Sequence, residues 1–153
     1  MAGTFSQIYI HYVFAVKGRE NLLNKSWRED VFKYIAGIIK NKNQQSIIVN
    51  GTSDHVHALV GLKPAMSISD LMRDIKSNTS NYINTKNLVK GTFSWQNGYG
   101  AFSYSRSQVD SVYKYIANQE EHHKKKTFRE EYLDFMQKFE LEYDEKYLFE
   151  WIN

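Results

Sequence analysis

The stretch Asp54-His55-Val56-His57-Ala58-Leu59-Val60 decides how this chain is read. Successive side chains of a strand point to opposite faces, so Val56, Ala58 and Val60 form an apolar row facing a core while His55 and His57 stand side by side on the reverse. The apolar surroundings mark a central strand, in which Val, Ile or Phe would ordinarily hold the two histidine positions. Just upstream, Ser46-Ile47-Ile48-Val49 is a short apolar run and Gly51-Thr52-Ser53-Asp54 is a turn, so Gln45 to Leu62 predicts a hairpin.

Working outward, Thr4 to Lys17 (TFSQIYIHYVFAVK) places Ile8, Ile10, Tyr12, Phe14 and Val16 on one face and Tyr9, His11, Val13 and Ala15 on the other, predicting a long central strand. Asn24-Lys25-Ser26 offers caps for a helix in which Val31, Tyr34, Ile35, Ile38 and Ile39 recur at helical spacing through Lys42. Ser67 opens a second helix with Ile68, Leu71, Met72 and Ile75 inward. Glycine and aromatic residues then alternate up to Phe102 and Tyr104, a final strand in which glycine lets the backbone pass close to a neighbour. A helix is expected from Ser107 to about Lys126, and Thr127-Phe128-Arg129-Glu130-Glu131 has the form of a new helix start. The tail from Tyr147 to Ile152 is apolar enough to dock on the domain or on a second subunit.

This order predicts the α+β class: a ferredoxin-like (RRM-like) βαββαβ sandwich, an antiparallel sheet with helices on one face and the other face left for a ligand, plus a C-terminal helix. The expected organisation is one domain over 1–153, with a sandwich at 1–126 and a C-terminal helix and tail at 127–153. A chain of 153 residues is long enough to bury a core, and 42% hydrophobic with 24% charged residues is ordinary for a globular protein. There are no cysteines, which excludes disulfides, thiolate-bound zinc, iron–sulfur clusters and thiol nucleophiles. Any metal must use histidine, carboxylate, amide or water. No run of apolar residues is long enough to span a bilayer and no secretory pattern opens the chain, so a cytoplasmic location is expected. The 20 basic residues are nearly balanced by 17 acidic ones, so a polyanionic partner is permitted rather than demanded.

Two imidazoles on one strand face suit a divalent ion, but the strand supplies no third ligand. In Tyr115-Ile116-Ala117-Asn118-Gln119, Tyr115 and Gln119 are four apart and share one helix face, to one side of the apolar stripe of Val109, Val112, Tyr113 and Ile116. If the two faces meet, Gln119 completes the ligand set of His55 and His57, and Tyr115 becomes a nucleophile toward a phosphodiester. Exposed histidine pairs on sheets and tyrosines on amphipathic helices are both commonplace in purely structural roles. No Gly-x-Ser-x-Gly elbow, P-loop or dinucleotide fingerprint competes with this scheme.

These residues resemble a known family. Asp54-His55-Val56-His57 is similar to the His-hydrophobic-His signature of HUH endonucleases. Trp95-Gln96-Asn97-Gly98-Tyr99-Gly100-Ala101-Phe102-Ser103, followed by Tyr115-Ile116-Ala117-Asn118-Gln119-Glu120-Glu121-His122-His123, resembles the single-tyrosine transposases of small bacterial insertion sequences. The resemblance runs from Phe5 to about Tyr132. It implies that His55, His57 and Gln119 bind Mg²⁺ or Mn²⁺, and that Tyr115 forms a 5′-phosphotyrosine and leaves a free 3′-hydroxyl. It further implies single-stranded DNA with hairpin ends as substrate, action at the bacterial nucleoid, and a homodimer in which the tyrosine helix completes the partner's histidine pair.

For phosphates, the candidate contacts are Lys17 and Arg19 after the first strand, Arg73 and Lys76 on the second helix, and Lys124, Lys125 and Lys126. Tyr99 and Phe102 are candidates either to stack on bases or simply to pack. Two other readings stay open: an inactive or domesticated relative that binds DNA hairpins, and an RRM-like RNA-binding module, which the histidines disfavour by occupying the face where stacking rings are wanted.

Overall fold

A computed structural model of the chain describes residues 3–18 and 21–151. Four strands, β1 (Tyr9–Ala15), β2 (Gln45–Gly51), β3 (His55–Gly61) and β4 (Gly100–Tyr104), form one antiparallel sheet in the order β2-β3-β1-β4. Five α-helices accompany them: α1 (Arg28–Asn41), α2 (Ile68–Thr85), α3 (Val109–Ala117), α4 (Gln119–His123) and α5 (Phe128–Lys138). This is the expected ferredoxin-like α+β sandwich, with β1 and β3 central. Regular pairing along the first strand stops short of the expected Thr4 to Lys17 because its partners run out: Tyr9 already faces Gly61 on one side and Tyr104 on the other.

Alternation along β1 and β3 divides the core in two. Ile10, Tyr12, Phe14 and Val16 join Val56, Ala58 and Val60 on the face covered by α1 and α2, packed on Leu23, Val31, Ile35, Ile39, Leu71, Met72 and Ile75. Ser67 caps α2 by accepting the Asp70 backbone N–H at 2.9 Å, as its position in the sequence suggested. The opposite face differs from expectation: it is not left open but carries α3 and α5, with Val13, Ala15, Leu59 and Phe102 packed on Val112, Ile116, Tyr132 and Phe135. A sheet face bearing Val13, Leu59 and Phe102 has apolar area to hide, and the amphipathic helices after β4 are the elements that hide it.

Gly100 lets β4 run close under α5, since a Cβ there would lie 2.8 Å from the Tyr132 hydroxyl. The expected helix from Ser107 to Lys126 is interrupted at Asn118, which separates α3 from α4. Thr127 does start a new helix, through a reciprocal capping box with Glu130. The tail docks on its own chain: Phe149 is buried against Phe128 and Tyr132, and the Glu150 backbone exchanges two hydrogen bonds of 2.6 Å with the Gln96 side chain. Among the described residues no helix is long and apolar enough to cross a membrane.

Candidate metal and nucleophile centre

His55 and His57 are fully buried under α3 and α5, and each ring is held from behind. His55 Nδ1 lies 2.7 Å from Asp54 Oδ1, and Thr52 donates its hydroxyl to the same carboxylate at 3.0 Å. His57 Nδ1 lies 2.7 Å from Nε2 of His11, itself fully buried on β1. A histidine whose Nδ1 is engaged presents Nε2, and carboxylates and rings hydrogen-bonded from behind in this way are what orient metal-binding histidines.

The late helices meet these two nitrogens. Asn50, on β2, donates its side-chain amide to the carbonyls of Ile116 (2.9 Å) and Ala117 (3.3 Å), so the sheet caps α3 and the chain turns at Asn118. Gln119 then opens α4 with a fully buried side chain, its Oε1 3.1 Å from His55 Nε2. One turn earlier, Tyr115 is half-buried with its hydroxyl 3.4 Å from His122 Nε2. The four residues singled out by spacing, His55, His57, Tyr115 and Gln119, thus gather in one place. They do so within a single chain, whereas the resemblance implied that the tyrosine helix reaches a partner.

Three residues of the cluster escaped sequence reasoning: His11, His123 and above all Glu131. Glu131 is 2% exposed and points from the first turn of α5 into the middle of the cluster. Its Oε1 lies 3.3 Å from His55 Nε2, 3.1 Å from His57 Nε2 and 3.1 Å from His123 Nε2. Its Oε2 accepts from the Tyr115 hydroxyl and, at 3.1 Å, from the Gln119 amide. A signal did exist, because Phe128, Tyr132 and Phe135 make an apolar stripe on α5 and Glu131 falls within it.

Burial would push the Glu131 carboxyl up, but the electrostatic influence of the adjoining His57 and His55 rings and the hydrogen bonds from both hold it down to about 2. Burial would likewise lower His55, yet hydrogen bonds to Asp54 and Glu131 prevail and raise it to about 9. Desolvation wins at the other rings: His57 and His11 are lowered, and His123 falls to about 3. Without an ion the cluster therefore holds one imidazolium between two carboxylates. A cation would supply the same neutralisation from the same position.

The donor set fits a divalent cation. Neighbouring ligands around an octahedral ion at 2.0–2.1 Å stand about 3 Å apart, the separation found between His55 Nε2 and Gln119 Oε1 and between His57 Nε2 and Glu131 Oε1, both 3.1 Å. His55, His57 and Glu131 form one group able to hold a metal ion, and His122, His123 and Glu131 form another. Imidazole with carboxylate and amide oxygen is a borderline-to-hard set that accepts Mg²⁺, Mn²⁺ or similar ions.

The model of the IS200-like transposase family matches residues 4–119, most of the chain. The chain belongs to that family. No curated protein matches this transposase. Among solved structures it is similar to a protein from Deinococcus radiodurans R1 assigned as a transposase, with a TM-score of 0.62 and 20% identity over 78% of this chain and 95% of that one. It is also similar to a REP-associated tyrosine transposase bound to a REP hairpin, with a TM-score of 0.59 and 14% identity over 76% of this chain and 68% of that one. At these identities the likeness is one of fold.

The basic residues of the transposase that were candidates for phosphate contacts differ in availability. Lys17 and Lys125 are exposed. Arg73 is exposed but engages Asp70 at 3.3 Å and Asp74 at 3.4 Å, Lys124 pairs with Glu121 at 2.8 Å, and Lys126 pairs with Asp134. Lys76 donates to the carbonyls of Gln96 (2.8 Å) and Gly98 (2.7 Å), and burial lowers its pKa to about 8, so it ties α2 to the loop before β4. Arg19 lies outside the described residues. Both candidate stacking rings are packed: Phe102 on Phe135 and Phe139, Tyr99 against Tyr12. A cleft of 270 Å³ opens instead beside Tyr115, walled by Tyr104, Val112, Phe135 and Lys138.

Proposed function

We propose that this transposase cuts and rejoins single-stranded DNA through a covalent 5′-phosphotyrosine on Tyr115, with His55, His57 and Gln119 holding Mg²⁺ or Mn²⁺. The observation that carries this reading is the convergence of His55 Nε2, Gln119 Oε1 and the Tyr115 hydroxyl on one buried spot in one chain. The bound ion would supply Lewis-acid polarisation of a phosphate oxygen. Everything else is work for the side chains. Asp54 and His11 fix the two ring orientations, Asn50 sets where Gln119 leaves α3, and the cleft beside Tyr115 gives the scissile phosphate access to the phenol. In the cleavage step the phenol oxygen forms a bond to phosphorus, the phosphorus–O3′ bond breaks, the phenol proton is released and the leaving 3′-oxygen is protonated. The reverse of that step rejoins a strand, because a phosphotyrosine conserves the energy of the phosphodiester.

The hairpin held by the REP-associated neighbour supports hairpin-bearing DNA as the substrate, met in the cytoplasm at the nucleoid. A homodimer remains the proposed working form, since cutting two ends takes two centres; the single-chain convergence supports one centre per copy. Residues 127–153 belong to the same domain in this reading, because α5 carries Glu131 into the centre and Phe149 packs on Phe128 and Tyr132 of that helix.

The test is to incubate the protein and Mn²⁺ with labelled single-stranded DNA from the region flanking its own gene, then resolve covalent adducts. Wild type should give an adduct on the 5′ end of the fragment lying 3′ of the cut, and Tyr115→Phe should give none. An adduct surviving Tyr115→Phe removes the nucleophile, and cleavage by the His55→Ala, His57→Ala double variant removes the metal site.

A further inference from the structure

Glu131 stands twelve residues beyond the segment that matches the family model, which ends at Gln119, yet it is the most heavily engaged side chain of the centre. Three features separate it from an ordinary buried acid. Its neighbour Glu130 already serves the capping box of α5, so the helix start does not need a second carboxylate. Among the described residues its ion-pair partners are all histidines, His55, His57, His122 and His123, with no lysine or arginine to neutralise it permanently. Finally, it is held rigidly: Phe128, one turn before it, stacks on the His55 ring at 3.9 Å and 9°, and Phe135, one turn after it, lies against His11, His57 and Tyr115.

The two carboxylate oxygens face different groups. Oε1 is turned to the nitrogens of His55 and His57, and Oε2 to the Tyr115 hydroxyl and the Gln119 amide. We infer that Glu131 is a further ligand of the divalent cation through Oε1 and the residue that positions the Tyr115 hydroxyl through Oε2. This rests on the metal-dependent reading above and adds to it a ligand from the C-terminal helix. A carboxylate in this place gives the two neutral imidazoles a charged companion, which raises affinity for a hard cation. It also holds the Tyr115 hydroxyl at the second oxygen of the same carboxylate. The same arrangement makes α5 an integral part of the centre.

The experiment compares wild type, Glu131→Gln, Glu131→Asp and the His55→Ala, His57→Ala double variant without DNA, using calorimetry and the electron paramagnetic resonance spectrum of added Mn²⁺, with circular dichroism to verify folding. Glu131→Gln keeps the shape and removes the charge; it should weaken Mn²⁺ binding tenfold or more. Glu131→Asp withdraws the charge by one methylene and serves where the Gln variant does not fold; it should also weaken binding. At saturating Mn²⁺ both should still form the DNA adduct more slowly than wild type, the mark of a misplaced phenol. If Glu131→Gln and Glu131→Asp bind Mn²⁺ as wild type does while the double histidine variant does not, Glu131 is no ligand and the metal reading stands without it. If the double histidine variant also binds normally, the metal reading falls and this inference with it.

Discussion

The two faces of one sheet have been put to opposite uses. Against α1 and α2, the alternate residues of β1 and β3 are Ile10, Tyr12, Phe14, Val16, Val56, Ala58 and Val60, an apolar layer whose cohesion comes from burial. One position along, the same two strands place His11, His55 and His57 beneath α3 and α5, where Gln119 and Glu131 join them. Five ionisable or polar side chains at the centre of a core each carry a desolvation cost. Their nitrogen and oxygen atoms face one another, and His55, His57 and Glu131 among them form a group able to hold a metal ion, an arrangement that stability alone does not require. Period-two alternation allows a protein to build both layers from one strand, with the apolar side holding the polar side in register.

The comparison breaks most sharply at the phenol. Tyr115→Phe should lower covalent adduct formation on the order of 10³-fold or more, with a smaller cost in thermal stability from the hydrogen bond that its hydroxyl gives Glu131. Phe14→Ala on the apolar face should do the reverse, costing about 3–5 kcal/mol in urea unfolding with Mn²⁺ affinity of the folded protein retained. Added Mn²⁺ at a hundred times its dissociation constant should stabilise wild type by about 2.7 kcal/mol, seen as a raised melting temperature; the His55→Ala, His57→Ala variant should show no rise.

A smaller effect concerns alkaline pH. Burial pushes the phenols of Tyr104 and Tyr132, both on the histidine face, up to about 12 from 10.0. Between those values the folded state keeps protons that the unfolded state has released, so stability should fall as pH rises from 10 to 12. Tyr104→Phe with Tyr132→Phe should flatten that decline in a pH series of denaturant melts. The smallest effect sharpens the contrast between faces: Ser67→Ala on α2 and Thr127→Ala on α5 should each cost about 1 kcal/mol, and only the second should weaken Mn²⁺ binding, because Glu131 sits in the turn that Thr127 caps.

Legibility in the sequence followed range of interaction. The alternation of Ile10, Tyr12 and Phe14, the hairpin turn at Gly51 and the caps at Ser67 and Thr127 are local rules, and each element was readable from its own residues. The break at Asn118 was not, since Gln119 to His123 continue in helical composition and the interruption is imposed by Asn50 from another strand. The covering of the second face depended on where α5 packs, a matter of tertiary burial. His11 stood out as the odd polar residue in its row with Tyr9, Val13 and Ala15, but its place beside His55 and His57 depends on the register of β1 on β3. Glu131 was masked by Glu130, because two acids in a first helical turn read as ordinary dipole complements. Lys76 shows the converse: a lysine on a polar helix side looked available for phosphate, and its commitment to the carbonyls of Gln96 and Gly98 depends on how the loop before β4 folds against α2.

Gln96 clasps the backbone of Glu150, and through Phe149 this clasp presses α5 onto the sheet. Translation proceeds from the amino end, so the tyrosine helix leaves the ribosome before the helix that covers it. A chain interrupted after Lys126 would expose the part of the sheet face that α5 covers and leave Tyr115 without the carboxylate that accepts its hydroxyl. Such a fragment is prone to proteolysis, and in the proposed reading the centre assembles only once α5 has been made.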